Sequence, residues 1–563
     1  LKFDAFTSGQ SYSIASLNAA AERSVNWYAA TIEGNAEKAS HTLVPTPGLT
    51  LFATMPQGPI RGMFPGQNRL FVVAGSHLYE VLSNGHTNDH GSVGNDGQPV
   101  QMFANGIGTQ LMVISDGHVY VDTGVAVQGP ITYSILLFDL SIDAGTGGLT
   151  GATGGIFDAS DVGQSITIYA GFAGFTAQTQ VVTSVVDGEA FGADSWGTGG
   201  STGGEGVEVL TTLVPASQGA YLDGYGFASF YASHLIQFSA INDFTSWNPL
   251  DFFDKATYPD NVAALQADHQ ELYVFGDTEA SEVFQDTGAS PTPFSPDPGA
   301  IMHYACIAPW TVCRLDEGLA WIGGDARRGD RLAFLAVGFR PRRISTDAVE
   351  TAWDEYSTVA DAIAFTYIER GHQFWCISFP SANSGAGATW VYDLKENLWH
   401  ERGWFTGAFD ANGFPVWGRV RQAFHCVVAL GATTADQDFC GDWQNGNLYL
   451  QNASYLDDAG TAIYRLRRAP HLTESNYWRM YSRFELDCDR LADTRIYWQR
   501  LSKGRDRVWQ TVSWQTASTG VSIYLAFSDT SCQTWIVLAT QTLPVGVAVA
   551  LANCYLLWVD CAF

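Results

Sequence analysis

The sequence predicts an all-β protein built on a β-propeller of six or seven blades, with a small inserted β-domain and a further β-domain at the C-terminus. Three observations predict it. Short alternating or β-branched and aromatic runs bounded by turn dipeptides recur along the 563 residues, and helical periodicity is confined to one short candidate helix at residues 14–22. Hairpins of similar character return about every 40 to 55 residues, the period of a four-stranded propeller blade. The composition supplies 58 glycines and 18 tryptophans, which suits many tight turns between packed aromatic strands.

Residues 1–57 read as an extended N-terminal arm. They are polar, carry Ala and Pro, and show little strand pattern, so they are expected to gain order by lying on another surface. The propeller is placed at 58–143 and 207–455, on hairpins at 69–81, 110–121, 226–238, 271–284, 318–337, 372–392 and 423–450. Asn84-Gly85, Asp116-Gly117, Asp187-Gly188, Asp223-Gly224, Asn412-Gly413 and Asn445-Gly446 supply turns that accept positive φ. The long interval between residues 110 and 226 regains the common period once 144–206 is set aside. That inserted segment is bracketed by glycine-rich runs at 145–155 and 197–204, read as flexible hinges. Strand patterns at 166–169 and 179–183 make it a small sandwich or barrel.

Residues 456–563 read as a separate β-domain. Within it the uncharged stretch 543–559 holds Pro544, Gly546 and Asn553 and is read as two buried strands around a turn, not as a membrane span. No basic segment followed by an apolar core opens the sequence, so no signal peptide is read. Nine cysteines, all after residue 305 and without a CxxC pair, are expected to be scattered reduced core thiols of a protein assembled in a cytoplasm.

Charge narrows the function. The formal net charge is −28, yet only 15% of residues are charged. Residues 456–563 hold 11 basic and 10 acidic residues, so residues 1–455 carry 18 basic against 47 acidic, or −29. Gripping nucleic acid requires phosphate neutralisation by Lys and Arg, and an acidic wall repels it.

The motifs that suggest chemistry are outweighed by plainer roles. Asp122-Thr123-Gly124 and Asp286-Thr287-Gly288 match an aspartic protease triplet, but that mechanism needs two carboxylates sharing one proton, and these fall on separate blades where Asp and Gly serve turns. Ser528–Trp535 resembles an Asp-box hairpin, a turn-stabilising device. The glycine runs lack the Lys-Ser/Thr and the following helix of a phosphate-binding loop. His86 and His90 are placed in a solvated loop, not around a metal. Asn452-Ala453-Ser454 is a glycosylation sequon relevant only to a secreted chain. Arg465, Arg467 and Arg468, with further arginines downstream, read either as solvated strand faces or as a docking surface for acidic patches of neighbouring subunits. Asp96, Asp116, Asp277 and Asp442 sit at blade turns able to converge on a cleft, which is what a carbohydrate-active propeller would need. No catalytic, cofactor-binding or metal-ligating residue is assigned, and no cofactor is expected.

A family likeness runs through the turn and strand-edge residues. Asn26-Trp27-Tyr28, Leu43–Thr50 and Arg61-Gly62 are followed by Asp223-Gly224, Phe238-Ser239-Ala240, Phe244–Trp247 and Pro259–Val262. Tyr273–Gly276, Glu282–Phe284, Ile344–Glu350, Gly371-His372, Thr389–Asp393, Trp399–Arg402, Gly441-Asp442 and Gly446–Tyr449 come next, in order. Over about 430 residues this series resembles the tail hub, nozzle or packaged-DNA stabilisation proteins of short-tailed bacteriophages. The resemblance implies a virion structural protein without catalytic residues, assembled in the host cytoplasm as a hexameric ring. That ring would sit below the portal and the head-to-tail adaptor, with tail fibres or spikes and a needle or plug protein as partners. Double-stranded DNA would pass through it without sequence-specific binding, and no stable membrane insertion is implied. The alternative is a carbohydrate-active or receptor-binding propeller at the virion tip.

Overall fold

The computed structural model describes residues 9–13, 21–34, 40–138, 140–142, 148–151, 165–168, 178–186, 189–193, 196, 200–201, 206–212, 216–230, 232–258, 260–290, 292–325, 329–410, 415–431, 435–468, 493–501, 507–517, 520–528, 535–543 and 557–562. Seven four-stranded antiparallel meanders form the propeller. Blade I is Ile60–Gly66, Arg69–Ala74, His77–Val81 and Thr87–Ser92, and blade II is Gln101–Ala104, Leu111–Ser115, His118–Asp122 and Val127–Gln128. Blade III is Ala216–Leu222, Tyr225–Phe230, Leu235–Ala240 and Asp243–Asp254, and blade IV is Val262–Asp268, Glu271–Gly276, Glu282–Asp286 and Phe294–Pro296. Blade V opens on a split strand, Ala305–Cys306 and Cys313–Leu315, before Gly318–Asp325, Gly329–Val337 and Arg340–Arg343. Blade VI is Ile363–Glu369, His372–Phe379, Ala388–Asp393 and Leu398–Arg402. Blade VII is Gln422–Val428, Gln437–Asp442 and Asn447–Asn452, closed by Gly48–Thr54 from the N-terminal region.

The expected hairpins fall on the second and third strands of blades I to VI, which explains their regular return. Asp116-Gly117 and Asp223-Gly224 both have positive φ at each residue, the geometry of tight hairpin turns. First strands stand side by side around the axis, and Gln422–Val428 returns to Ile60–Gly66 to close the circle. The core lies between blades. Leu70, Val72, Phe439 and Leu448 fill the contact of VII with I, and Phe227, Phe238, Leu272 and Phe284 that of III with IV. Trp353, Trp375 and Trp399 fill that of V with VI. Burial of such side chains contributes about 1.5–3 kcal/mol each.

The N-terminal region departs from the expected arm. Ala21–Val25 is a strand, not the end of a helix, and residues 14–20 lie outside the described residues. Trp27–Thr31 pairs with His41–Pro45, and this hairpin packs Tyr28 and Val44 on Phe365, Phe374 and Val391 of blade VI. Gly48–Thr54 zips onto Asn447–Asn452, with Leu49 opposite Gln451. The C-terminal sheet is likewise not a separate layer. Val25 pairs in parallel with Glu401 and antiparallel with Leu466, so Ala21–Val25 joins blade VI to Tyr464–Arg468. From there the sheet continues through Leu557–Ala562, Asp493–Leu501, Arg507–Ala517, Gly520–Ser528 and Trp535–Leu543. Of the apolar stretch 543–559, read as two strands around a turn, residues 544–556 lie outside the described residues, and its two ends belong to strands that are not neighbours in the sheet. No helix among the described residues is long and apolar enough to cross a membrane.

The insertion leaves through a paired ribbon, Thr132–Phe138 against Gly206–Thr212, and the glycine-rich runs 145–155 and 197–204 read as hinges lie beyond it, mostly outside the described residues. A five-stranded sheet and the pair Ser165–Ile168 with Gln178–Val181 lie beyond it. One helix escaped the periodicity reading, Asp347–Asp354. Thr346 caps it by accepting from the Val349 N–H at 3.4 Å, and Trp353 is its core anchor.

Candidate functional site at the propeller axis

Two places concentrate polar chemistry, the seam between blades VI and VII and the mouth of the propeller axis. At the seam, Asn26 holds a positive φ of 58° and is buried. Its amide nitrogen donates to the carbonyls of Gly403 (3.0 Å) and Tyr464 (2.8 Å), and its amide oxygen accepts from the Gly403 N–H (2.9 Å). One side chain thereby ties the N-terminal region to blade VI and the C-terminal sheet.

The arginine cluster works beside it. Arg465 and Arg467 are each 1% exposed. Arg467 donates to the Gln10 carbonyl (3.2 Å) and pairs with Glu22 (3.3 Å), Arg468 donates to Ser13, and Arg465 lies over the Trp27 ring. Burial lowers the Arg467 pKa and raises that of Glu22, while the mutual attraction opposes both shifts. These residues clamp the chain's own N-terminus, so neither a solvated face nor a free docking surface describes them. The physical reason is the edge of blade VI, which pairs with Ala21–Val25 and draws Tyr464–Arg468 inside. Across the same seam Arg402 donates to the Pro47 carbonyl (3.3 Å), and His400 is buried with its pKa pressed down to about 3 by desolvation, then by Arg402 and His372.

The mouth of the axis is a cavity of about 630 Å³. It gathers Asp96, Asp116 and Asp277, three of the four blade-turn aspartates named from the sequence, together with Ser115, Gln218 and Trp310. Asp96 pairs with the buried Arg61 (2.5 Å), whose other nitrogens donate to the carbonyls of Gly75, Gly94 and Gln98. Burial lowers the Arg61 pKa, opposed by Asp96 and Asp116. Asp116 accepts from the Asn95 N–H (3.3 Å), and Asp277 Oδ2 accepts from Asn261 (3.0 Å). Deeper on the axis a void of about 160 Å³ lies among Gln101, Leu265, Ile363 and Phe424. Pro309 and Trp310, in the 3₁₀ turn that splits the first strand of blade V, border both spaces and divide them. Spaces of this size hold a small ligand, not a double helix.

Asp442 does not join the mouth. It is fully buried in blade VII, accepting from Tyr449 (2.8 Å) and paired with Arg421 (3.2 Å). The two Asp-Thr-Gly triplets lie on blades II and IV. Asp286 accepts from the Gly288 N–H (2.8 Å) as a turn residue, whereas Asp122 is buried against His90 of blade I (3.0 Å) and joins two blades. His90 is thus a core residue and His86 is exposed. Asn452 accepts from the Ser454 N–H in a turn. The tip of the Asp-box hairpin lies outside the described residues, though its flanks pair with Ser528 opposite Trp535. Among the described residues no group of three His, Cys, Asp or Glu side chains is placed to hold a metal. Cys306, Cys313, Cys376, Cys426 and Cys440 are free thiols, and burial pushes the Cys376 pKa up to about 11.

The family-like residues are structural. Asp243 accepts from Thr245 and Gln110, hydrogen bonds that hold its carboxyl below the usual range, and Trp247 donates to the Phe244 carbonyl (2.7 Å). Asp260 binds Lys255 and the N–H groups of Thr278 and Glu279, and Asp393 pairs with His372 (2.7 Å). Ser115 and Trp310 escape the sequence reading, because Ser115 directly precedes the Asp116-Gly117 turn with nothing local to mark its hydroxyl and Trp310 stands in no recognisable motif.

Comparison with known proteins agrees with this frame. No curated protein matches the chain. Among solved structures, virginiamycin B lyase from Staphylococcus aureus is 5% identical, with a TM-score of 0.36 over 72% of this chain and 99% of that one. The N-terminal domain of Nup159 is 9% identical, with a TM-score of 0.33 over 76% and 99%. Likenesses this distant carry no inference about activity. Residues 208–454 match the family described as Bacteriophage P22 Gp10, beta-propeller. Over that stretch, which holds blades III to VII, the chain is similar to the β-propeller of that family.

Proposed function

We propose that the chain is a structural subunit of the tail hub, or nozzle, of a short-tailed phage. Six copies form a ring below the portal and adaptor, and the ring retains the packaged genome, passes it during ejection and carries fibres or spikes. A needle or plug protein completes the gate, assembly takes place in the host cytoplasm, and the subunit does no chemistry. The observation that carries this reading is the family match across blades III to VII. The charge supports it. Six chains at −28 each present about 170 formal negative charges, and a duplex sliding past such a surface meets few sites to which it adheres. Because Pro309 and Trp310 cross the axis of the single propeller, the duplex path in this reading runs between subunits.

Negative-stain imaging of the purified protein tests the proposal. Sixfold rings with an open centre are expected, and a uniformly monomeric population would contradict it. The meeting of Asp96, Asp116 and Asp277 favours one other reading, a carbohydrate-active or receptor-binding propeller at the tail tip. That alternative predicts release of reducing sugar from host polysaccharide, or adsorption to it.

A further inference from the structure

Two flanks of the propeller hold large apolar side chains out in solvent. The first is the hairpin Trp404–Phe409 with Pro415–Gly418, which pairs with no further strand among the described residues. A two-stranded hairpin is marginally stable by itself, so it needs a surface to lie on. Phe405 packs on Tyr464 with 4.4 Å between ring centres, and Phe409 touches both rings yet stays 46% exposed. At the hairpin base Arg419 stacks on Trp443, 3.4 Å from the ring centre, and its guanidinium has no acceptor among the described residues. Its neighbour Arg421 is already paired with Asp442. The second flank is the outer strand of blade III, Asp243–Asp254. Gln237 faces Phe252 and Ser239 faces Trp247, so residues 248–251 stand against the single residue Phe238 and bulge from the sheet edge. Leu250 on that bulge is 78% exposed and Phe252 is 42% exposed. Beside them in the strand are Asp251 and Asp254, and neither faces a cation among the described residues.

We propose that these two faces bind each other between copies of the chain, the hairpin and Arg419 of one copy covering the blade III bulge of the next. The inference rests on the hub reading and names the contact its ring uses. Placement supports it. The hairpin joins blade VI to blade VII, and blade III is the third blade from VI in one direction and the third from VII in the other, so the faces lie on opposite flanks. Two different faces on opposite flanks make a head-to-tail contact, the kind that closes into a ring. Chemistry supports it too. Each face has an apolar centre, and Arg419 lacks the acceptor that Asp251 and Asp254 supply. Copies carrying −28 each repel one another, so their contact needs buried aromatic and aliphatic anchors and a local pairing of charge.

Sedimentation velocity and negative-stain imaging of the full chain test it. Leu250→Asp and Phe409→Asp are each expected to raise the concentration needed for ring formation about tenfold or more. Val125→Asp, at an exposed site on blade II, is expected to leave the rings intact. Each of the first two variants keeps one sound face. Mixed in equal amounts they are expected to form one-to-one pairs that grow no further, at a concentration where each alone stays monomeric. Arg419→Glu is expected to weaken assembly, and adding Asp251→Arg with Asp254→Arg is expected to restore it. A thermal melt of each variant separates lost assembly from lost folding. Rings from both face variants at the parent's concentration would overturn this contact and leave the hub reading standing, as would a mixture that stays monomeric or self-pairing of Leu250→Asp alone. A loss in Arg419→Glu that the charge swap fails to restore would overturn the pairing of charges. A parent chain that stays monomeric at every concentration would instead contradict the hub reading, and this contact with it.

Discussion

The seam between blades VI and VII and the axial mouth both gather polar groups, yet with opposite sign and opposite company. The seam presses Arg402, Arg465, Arg467 and Arg468 against the chain's own N-terminal segment, whose Arg23 in turn pairs with Glu401 of blade VI. The mouth collects aspartates around a void and keeps one arginine behind them. In a chain with 29 basic residues, cations are thus concentrated where distant segments must be held together. Carboxylates are left at the opening. A buried charge with its partner in the same chain reports on closure, whereas one facing a cavity is free to report on a ligand.

The largest effect is expected from unzipping the closure. Leu49→Asp places a carboxylate at a 1% exposed site on the strand that completes blade VII. A loss of more than about 4 kcal/mol is expected, read as a non-cooperative melt and early proteolysis after residue 422. An unchanged melt would mean that the N-terminal strand is not the lock.

Two tryptophans sharpen the contrast. Trp399 is fully buried, packs edge-on against Trp353 and donates to the Ile344 carbonyl (2.9 Å). Trp399→Ala is expected to cost about 3–5 kcal/mol in denaturant unfolding. Trp310→Ala, at the half-buried mouth, is expected to cost about 1–2 kcal/mol. Equal costs would show the mouth to be core in disguise. Asn26→Ala comes next, at about 2–3 kcal/mol, since it leaves the Gly403 and Tyr464 carbonyls and the Gly403 N–H short of a partner.

The smallest effect at neutral pH is a slope. His400 has a folded pKa of about 3 against an ordinary value of 6.5, so the unfolded chain binds its proton first. Its contribution is fully present above about pH 6.5 and is lost as pH falls towards 3, at about 1.4 kcal/mol per unit within that window. Relative to the parent protein, His400→Gln is expected to flatten the acid side of the stability profile by that amount. Parallel profiles would contradict a neutral buried imidazole.

These residues also show how far the sequence could be read. Asp116-Gly117 and Asp223-Gly224 announce their turns because φ > 0 demands such residues locally, and the repeating second and third strands follow from alternation alone. Gly48–Thr54 stayed hidden because its partner, Asn447–Asn452, lies some four hundred residues away and nothing local marks a strand that waits for it. The arginines misled because charge in a sequence reads as solvent exposure, while here it is buried by pairing across the seam. At the mouth, the aspartates were legible as turn residues able to converge. Ser115 and Trp310 were not, since a silent hydroxyl and a loop indole acquire meaning only from the cavity between them.

A reconstruction of the intact particle decides whether this chain forms the exit path. Six copies are expected around the portal axis, with genome density running between subunits and Pro309 and Trp310 still closing each propeller. Finding this polypeptide away from the exit path, or a channel wall made chiefly of lysine and arginine, would contradict it.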